Sequence, residues 1–342
     1  MPNEALISRV MLDAIDKQVV RQGSFFRDKF FSTVETVPTT LFEYDEVDDD
    51  TDILPFAGYN AESTSGAMRG YANKTGRVEC IRHKYVLTPM ELEQRLPGRT
   101  VYDSADKIAE LQNLTFGDLE RKLIRTEESL AVQALTTGQV KIRLEDGSER
   151  ILATYWDTPV TGGVNDPVVT AGSVWGSSTT GADMLEQILT WRNTVIQHGG
   201  SVPSTLVVAA DLGAKLARAL MATPTSLLNP GAIDAGASYD VEGIQYLGTF
   251  AGLAIYASGA AVGGSPLLAN GTALLGSGMT SKMMYGPTFL PTFDAMSKVV
   301  SRRTMYTDVS RDPVAFANII QSAPLPLVRR KWDVLYIKGL SS

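Results

Sequence analysis

The sequence predicts an α+β fold built on one long helix, and three observations carry that prediction. Residues 104–137 place apolar side chains at helical spacing, whereas the stretches on either side alternate apolar and polar residues as strands do. Glycines stand where the period changes, so the elements have sharp ends. A second helical pattern at 183–198 runs straight into a short, continuously apolar stretch, which marks an α/β unit inserted at roughly 160–285.

The elements follow in order. Residues 3–22 are expected to form an amphipathic helix, because Ile7, Met11 and Ile15 recur every four residues with Val10 and Ala14 beside them; Gly23 is its stop. An aromatic knot comes next (Phe25, Phe26, Phe30, Phe31), then extended sequence with Val34, Val37, Leu41 and Phe42. An acidic run follows, made of Asp45, Glu46, Asp48, Asp49, Asp50 and Asp52. The segment 53–96 starts apolar (Ile53, Leu54, Pro55, Phe56) and turns small and flexible (Gly58, Ser63, Ser65, Gly66, Gly70, Gly76). It returns as an alternating strand through Val78, Cys80, Arg82 and Val86. This pattern fits a long two-stranded loop, whose apolar positions only a neighbouring subunit would cover.

In the long helix, Ile108, Leu111, Phe116, Leu119, Leu123 and Leu130 share a face. Asp103 or Ser104 is the expected N-cap, and Gly138 the left-handed residue beyond its end. Gly117 weakens its middle, so two helices are an alternative there. A hairpin is expected around Asp146-Gly147, flanked by Val140, Ile142, Leu144 and Ile151. Residues 157–182, rich in Gly, Ser and Thr, are expected to be a linker or surface loop. Met184, Ile188, Trp191 and Val195 line one face of the next helix, which Gly199-Gly200 ends. Leu206 to Ala209 form a buried strand, and Asp211 is the expected cap of a helix ending near Thr223-Pro224. Short strands continue to Leu275. The last strands are expected at 298–309, 315–321 and 332–338, and the chain has no internal repeat.

Composition narrows the function. The 342 residues are 44% apolar and 20% charged, ordinary for a folded protein. Cys80 is the single cysteine, which excludes a disulfide-built fold. Glu4, Asp13 and Asp16 interrupt the N-terminal apolar residues, unlike a secretory leader. The weakly apolar stretch 248–278 has too much Gly, Ser, Pro and Asn for a membrane span. A net charge of −7 argues against avid nucleic-acid binding, and an acidic wall would hold packed DNA only weakly.

The search for chemistry is mostly negative. Of two histidines, His198 falls at a helix C-terminus and His83 on a strand between Arg82 and Lys84. With one thiol, a zinc site is not expected. No G-x-S-x-G elbow is present. Asn73 precedes Lys74-Thr75 where a P-loop needs Gly, and Gly276-Ser277-Gly278 lacks its third glycine at Ser281. The acidic run lacks EF-hand spacing. It reads as a solvated face, or as a contact for Arg329, Arg330 and Lys331 of another subunit. The aromatic residues at 25–31 lack the interleaved Gly and basic residues of a base-stacking platform. No catalytic, cofactor-binding or metal-binding residues are assigned.

One signature resembles a known family. Asp312-Pro313 followed by Ile320-Gln321-Ser322-Ala323-Pro324-Leu325 is similar to the C-terminal motif of the phage lambda major capsid proteins, the major capsid protein E family. Phe26-Arg27, and Thr88-Pro89 with Leu96-Pro97, are similar to that family's N-terminal portion and loop return. The resemblance implies the Hong Kong 97-like phage capsid fold. It divides the chain into an N-terminal arm at 1–47, an extended loop at 48–97, a peripheral domain at 98–159 and 286–342 with the long spine helix, and an inserted axial domain at 160–285. It also implies a non-enzymatic shell subunit of a tailed double-stranded DNA bacteriophage, forming hexamers and pentamers of an icosahedral head that matures by expansion. The implied partners are further copies of the chain, a scaffolding protein and a portal protein, with a decoration protein as an optional addition. DNA would be enclosed without specific binding, no membrane would take part, and the chain would reside in the virion after assembly in the host cytoplasm. Self-crosslinking between a loop Lys and an Asn, used by some relatives of the fold, is not expected, although Lys74 is present. Contact candidates between subunits are Phe25, Phe26, Ile53, Leu54, Phe56, Met68, Tyr71, Arg329, Arg330 and Lys331. The alternative is an encapsulin-like shell protein of a non-viral compartment. A soluble hydrolase or transferase would need a convergent polar site that two histidines and one cysteine do not supply.

Overall fold

The computed structural model describes residues 24–47, 71–88, 107–158, 163, 166–176, 179–222, 243–278, 281–291, 296–311 and 314–341. The expected N-terminal helix at 3–22, and Asp103 and Ser104, lie outside them.

A six-stranded sheet organises the described residues. Its order is Val168–Thr170, Val334–Lys338, Ala273–Gly276, Thr205–Ala209, Leu253–Ser258, Ile244–Phe250. The central strands are apolar on both sides because both sides are covered. Leu206, Val208, Leu275, Leu335 and Ile337 face one core, and Val207, Ala209, Leu274, Val334 and Tyr336 face the other.

The helices are α1 (Phe25–Phe30), α2 (Lys107–Thr137), α3 (Gly181–Gln197) and α4 (Ala210–Ala222). The first core holds α3 and α4 against the sheet, with Met184, Ile188, Trp191, Val195, Leu212 and Leu216 buried. The second joins the sheet to α1 and the C-terminal half of α2 through Phe26, Phe30, Leu130, Ala131, Ala134 and Leu135.

The expected second peripheral segment, 286–342, sends Val334–Lys338 into this sheet, antiparallel to Ala273–Gly276 and parallel to Val168–Thr170. Its apolar residues on both faces require a central position in a covered sheet.

The long helix is one continuous element of 31 residues; Gly117 does not break it. Gly138 ends it in the left-handed conformation, φ 64°. The Trp156 ring lies over Gly138, where an added Cβ would sit 2.0 Å from it. Leu119 and Leu123 pack on Ile320 of a three-stranded sheet, ordered Thr304–Arg311, Val314–Ser322, Ile81–Leu87. Gln139–Arg143 and Glu149–Thr154 form the expected hairpin, with Asp146 Oδ1 accepting from Ser148 N at 2.9 Å and Gly147 at φ 83°.

The expected two-stranded loop differs in its pairing. Leu41–Val47 pairs antiparallel with Tyr71–Arg77, while Ile81–Leu87, expected as the returning strand, joins Val314–Ser322 instead. Gly76, read from composition as part of the flexible middle of the loop, lies in the strand Tyr71–Arg77.

Described residues of the Gly/Ser/Thr-rich stretch 157–182 take part in the packing, beyond what its composition implies. Asp166 is buried and accepts from the N–H groups of Asp157 (2.9 Å), Thr158 (2.8 Å) and Gly163 (2.6 Å). Trp175 is fully buried, stacks on Trp191 at 5.9 Å, and donates Nε1–H to Gln187 Oε1 at 2.9 Å. Asp211 does not cap α4. It lies in the first turn of that helix, and its carboxylate accepts from Gly271 N at 3.0–3.2 Å.

Candidate functional site: the arm junction and the exposed faces

The most concentrated polar arrangement among the described residues is a junction where α1, α2 and the C-terminal strands meet. Its centre is Glu127, whose side chain is 0% exposed in α2. Glu127 Oε2 accepts from Arg27 Nη1 at 2.6 Å and from Arg302 Nη2 at 3.0 Å, and Oε1 accepts from the Tyr285 hydroxyl at 3.1 Å. One carboxylate thus ties the N-terminal arm, the strand Lys282–Tyr285 and the turn before Thr304–Arg311 to the spine helix. Burial and the Glu127 charge push the Tyr285 phenol well above its ordinary value.

Its neighbour Glu128 serves the arm alone. Its two carboxylate oxygens accept from the backbone N–H groups of Phe26 (2.6 Å) and Arg27 (3.1 Å). Burial pushes its carboxyl up to about 7, against the pull of these two N–H groups and of Arg27. Two turns earlier on the same face of the helix, Glu120 forms an ion pair with Arg303. These groups hold elements together by charge and hydrogen bonding; none is arranged as nucleophile and base. No group of three or more His, Cys, Asp or Glu suited to a metal occurs among the described residues.

The sequence pointed to the arm but missed the carboxylates that fix it. The signal was present: Glu127 sits on the stripe of Leu123, Leu130, Ala131 and Ala134, where an unpaired charge would be costly.

The contact candidates are placed unequally. Phe26 is 0% exposed and stacks on Phe30 at 6.2 Å, so its ring belongs to the core of its own subunit. Phe25 is half-buried, edge-on to Tyr256 at 4.9 Å. Tyr71 opens its strand opposite Val47. Ile53, Leu54, Phe56 and Met68 lie outside the described residues. Arg329 and Arg330 are exposed, whereas Lys331 is half-buried with Nζ 3.3 Å from Asp157 Oδ2.

Neither histidine faces an active-site partner. His198 stacks on Trp332 at 3.9 Å, with its Nδ1 2.9 Å from Thr194 O, at the end of α3. His83 Nε2 lies 3.4 Å from Lys122 Nζ.

The motif at 320–325 is spent on packing. Ile320, Gln321, Ser322, Ala323 and Leu325 are all buried, Ser322 Oγ–H donates to Arg302 O at 2.5 Å, and Ala323 O accepts from Gly286 N at 2.8 Å. The surface carries separate apolar side chains instead: Val34, Leu41, Ile151 and Val309 are each more than half exposed. Leu41 and Ile151 flank a groove between the two hairpins. Among the described residues no helix is long and apolar enough to cross a membrane.

Comparison with known proteins places this architecture. A prophage protein of E. coli CFT073 assigned to the capsid, 17% identical, superposes with a TM-score of 0.61 over 93% of each chain. The capsid protein of Ralstonia phage GP4, 12% identical, gives 0.56 over 98% of this chain and 96% of that one. That of Cyanophage P-SCSP1u, also 12% identical, gives 0.52 over 97% and 94%. At these identities the likeness establishes the fold, which is that of phage capsid proteins. No curated protein sequence matches the chain. The family model described as phage major capsid protein E matches residues 8–335, nearly the whole chain, and the chain therefore belongs to the phage major capsid protein E family.

Proposed function

We propose that copies of this chain assemble, as hexamers and pentamers, into the closed icosahedral head of a tailed phage that encloses double-stranded DNA and matures by expansion. The observation that carries this reading is the family match across residues 8–335. In this scheme the arm is 1–47 and the extended loop 48–97. The peripheral domain is 98–159 with 286–342, except that Val334–Lys338 is shared with the axial sheet of 160–285. A scaffolding protein and a portal are the assembly partners, with a decoration protein as an optional addition. The virion is the destination, reached from the host cytoplasm. No catalysis is assigned to the chain, and an encapsulin-like compartment is the less favoured reading.

The surface chemistry suits repeated self-contact. Exposed Val34, Leu41, Ile151 and Val309 are separate apolar footholds. Together with Phe25, Ile53, Leu54, Phe56, Met68, Tyr71, Arg329, Arg330 and Lys331 they are the proposed contact residues. At roughly 25 cal/mol per Å² of apolar area, modest contacts repeated around every subunit add up to a stable shell. The net charge of −7 leaves packed DNA loosely held.

Gradient sedimentation of the expressed chain, alone and with the scaffold gene of its neighbourhood, tests the reading. Particles sedimenting far ahead of the 36.9 kDa chain are expected in the co-expression. A single slow species under all conditions would contradict it.

A further inference from the structure

We propose that docking of the arm is proton-linked: Glu128 takes up a proton as the α1 helix seats on the spine helix, so mild acid tightens the arm and mild alkali loosens it. The inference concerns a single subunit and holds whether or not the chain builds a shell.

The geometry that carries it is the way the arm covers Glu128. The residue is 2% exposed, and its two oxygens are occupied by the Phe26 and Arg27 N–H groups. Lifting α1 would remove both bonds and the cover together, and return the carboxyl to water.

The charged groups around it do not neutralise it. From the arm, Arg27 directs its guanidinium to Glu127 Oε2 and to Asp28 Oδ1, which adds a second negative charge nearby. From its own helix, Glu127 is adjacent and binds both Arg27 and Arg302. From the C-terminal strands, Tyr285 and Arg302 both reach Glu127. The two cations of the junction are thus bonded to the neighbouring carboxylate, and Glu128 is left with backbone donors. The longer of its bonds, to Arg27 N, is the one that yields when a proton occupies Oε2, while the 2.6 Å bond to Phe26 N stays.

The direction of the effect follows from linkage. Burial raises the docked carboxyl from 4.5 to about 7. A carboxyl that holds its proton more tightly docked than free favours docking as pH falls through 7 towards 4.5, and contributes nothing to it above about 7. For those two values the docking constant rises about tenfold between pH 8 and pH 6.

Hydrogen–deuterium exchange on the full-length chain at pH 6, 7 and 8 tests this. Protection factors divide out the intrinsic pH dependence of exchange. Those of the Phe26 and Arg27 amides are expected to rise about tenfold from pH 8 to pH 6, while amides of α3 stay level. Glu128→Gln, a neutral isostere, is expected to hold the arm at a level independent of pH. A flat or reversed profile in the wild type would overturn the proposal, as would a slope that survives in Glu128→Gln. Should that variant fail to fold, a carbon-13 titration of the wild-type glutamate carboxyls replaces it. A glutamate titrating near 7 supports the proposal, and the absence of any midpoint above about 5.5 overturns it.

Discussion

Trp191→Ala removes the largest side chain that α3 contributes to its core. The indole is 5% exposed and stacks on the fully buried Trp175 at 5.9 Å with 25° between the rings. An aromatic of this size buries about 150–250 Å², and at roughly 25 cal/mol per Å² that corresponds to about 4–6 kcal/mol as an upper bound. Measured Trp→Ala losses in cores are about 3–5 kcal/mol, because neighbours relax only partly into the cavity. The stack adds about 0.5–1.5 kcal/mol beyond area, which Trp191→Phe would largely retain. The expected result is therefore a loss of about 3–5 kcal/mol for Ala and a clearly smaller one for Phe. Urea unfolding of the unassembled chain, followed by tryptophan fluorescence and circular dichroism, reads both. An Ala variant within about 1 kcal/mol of wild type would refute the assignment of this face as core.

Other positions separate other parts of the account. Gly117→Ala is expected to stabilise the chain by about 0.5–1 kcal/mol, since an added Cβ meets nothing within 4 Å; thermal unfolding checks it. Ala251→Gly is also expected to stabilise, by roughly 0.5–1 kcal/mol, because Ala251 is held at φ 50° by a turn whose carbonyl bond to Arg192 does not need the methyl group. Glu127→Ala strands Arg27 and Arg302 and is expected to cost about 3–5 kcal/mol, with early proteolytic cleavage near residue 27 as a second readout. Asp166→Ala is expected to release the Asp157, Thr158 and Gly163 N–H groups, read as faster amide exchange there. Burial raises the Asp166 carboxyl, but the Gly163, Asp157 and Thr158 N–H groups outweigh it and hold it below its ordinary 3.8. Its contribution is therefore complete above that value and fades as pH falls through the lower one, so wild type and variant should converge in acid.

The elements with strong period were legible in the sequence. Met184, Ile188, Trp191 and Val195 lie on the buried face that their spacing predicts, and Gly138 and Gly147 have the positive φ that their positions require. What failed was partner choice. Ile81–Leu87 alternates as a loop strand would, yet pairs with Val314–Ser322, more than two hundred residues away, because alternation fixes which side faces inward and not which strand lies alongside. The apolar run at 334–338 was visible, but not that its two faces serve two cores. The polar composition of 157–182 hides the burial of Trp175 and Asp166 within it. At the junction, Glu127 and Glu128 lie beside an apolar helical stripe, and the spacing alone does not show what they bind. Their meaning depends on Arg27 and Arg302, which tertiary folding alone brings together.

Whether this chain builds a closed shell is read by negative-stain electron microscopy of the protein co-expressed with its scaffold gene. Round, closed particles of uniform diameter are expected, or tubes of capsomers when the chain is expressed alone. Dispersed monomers at high concentration in both preparations would contradict it.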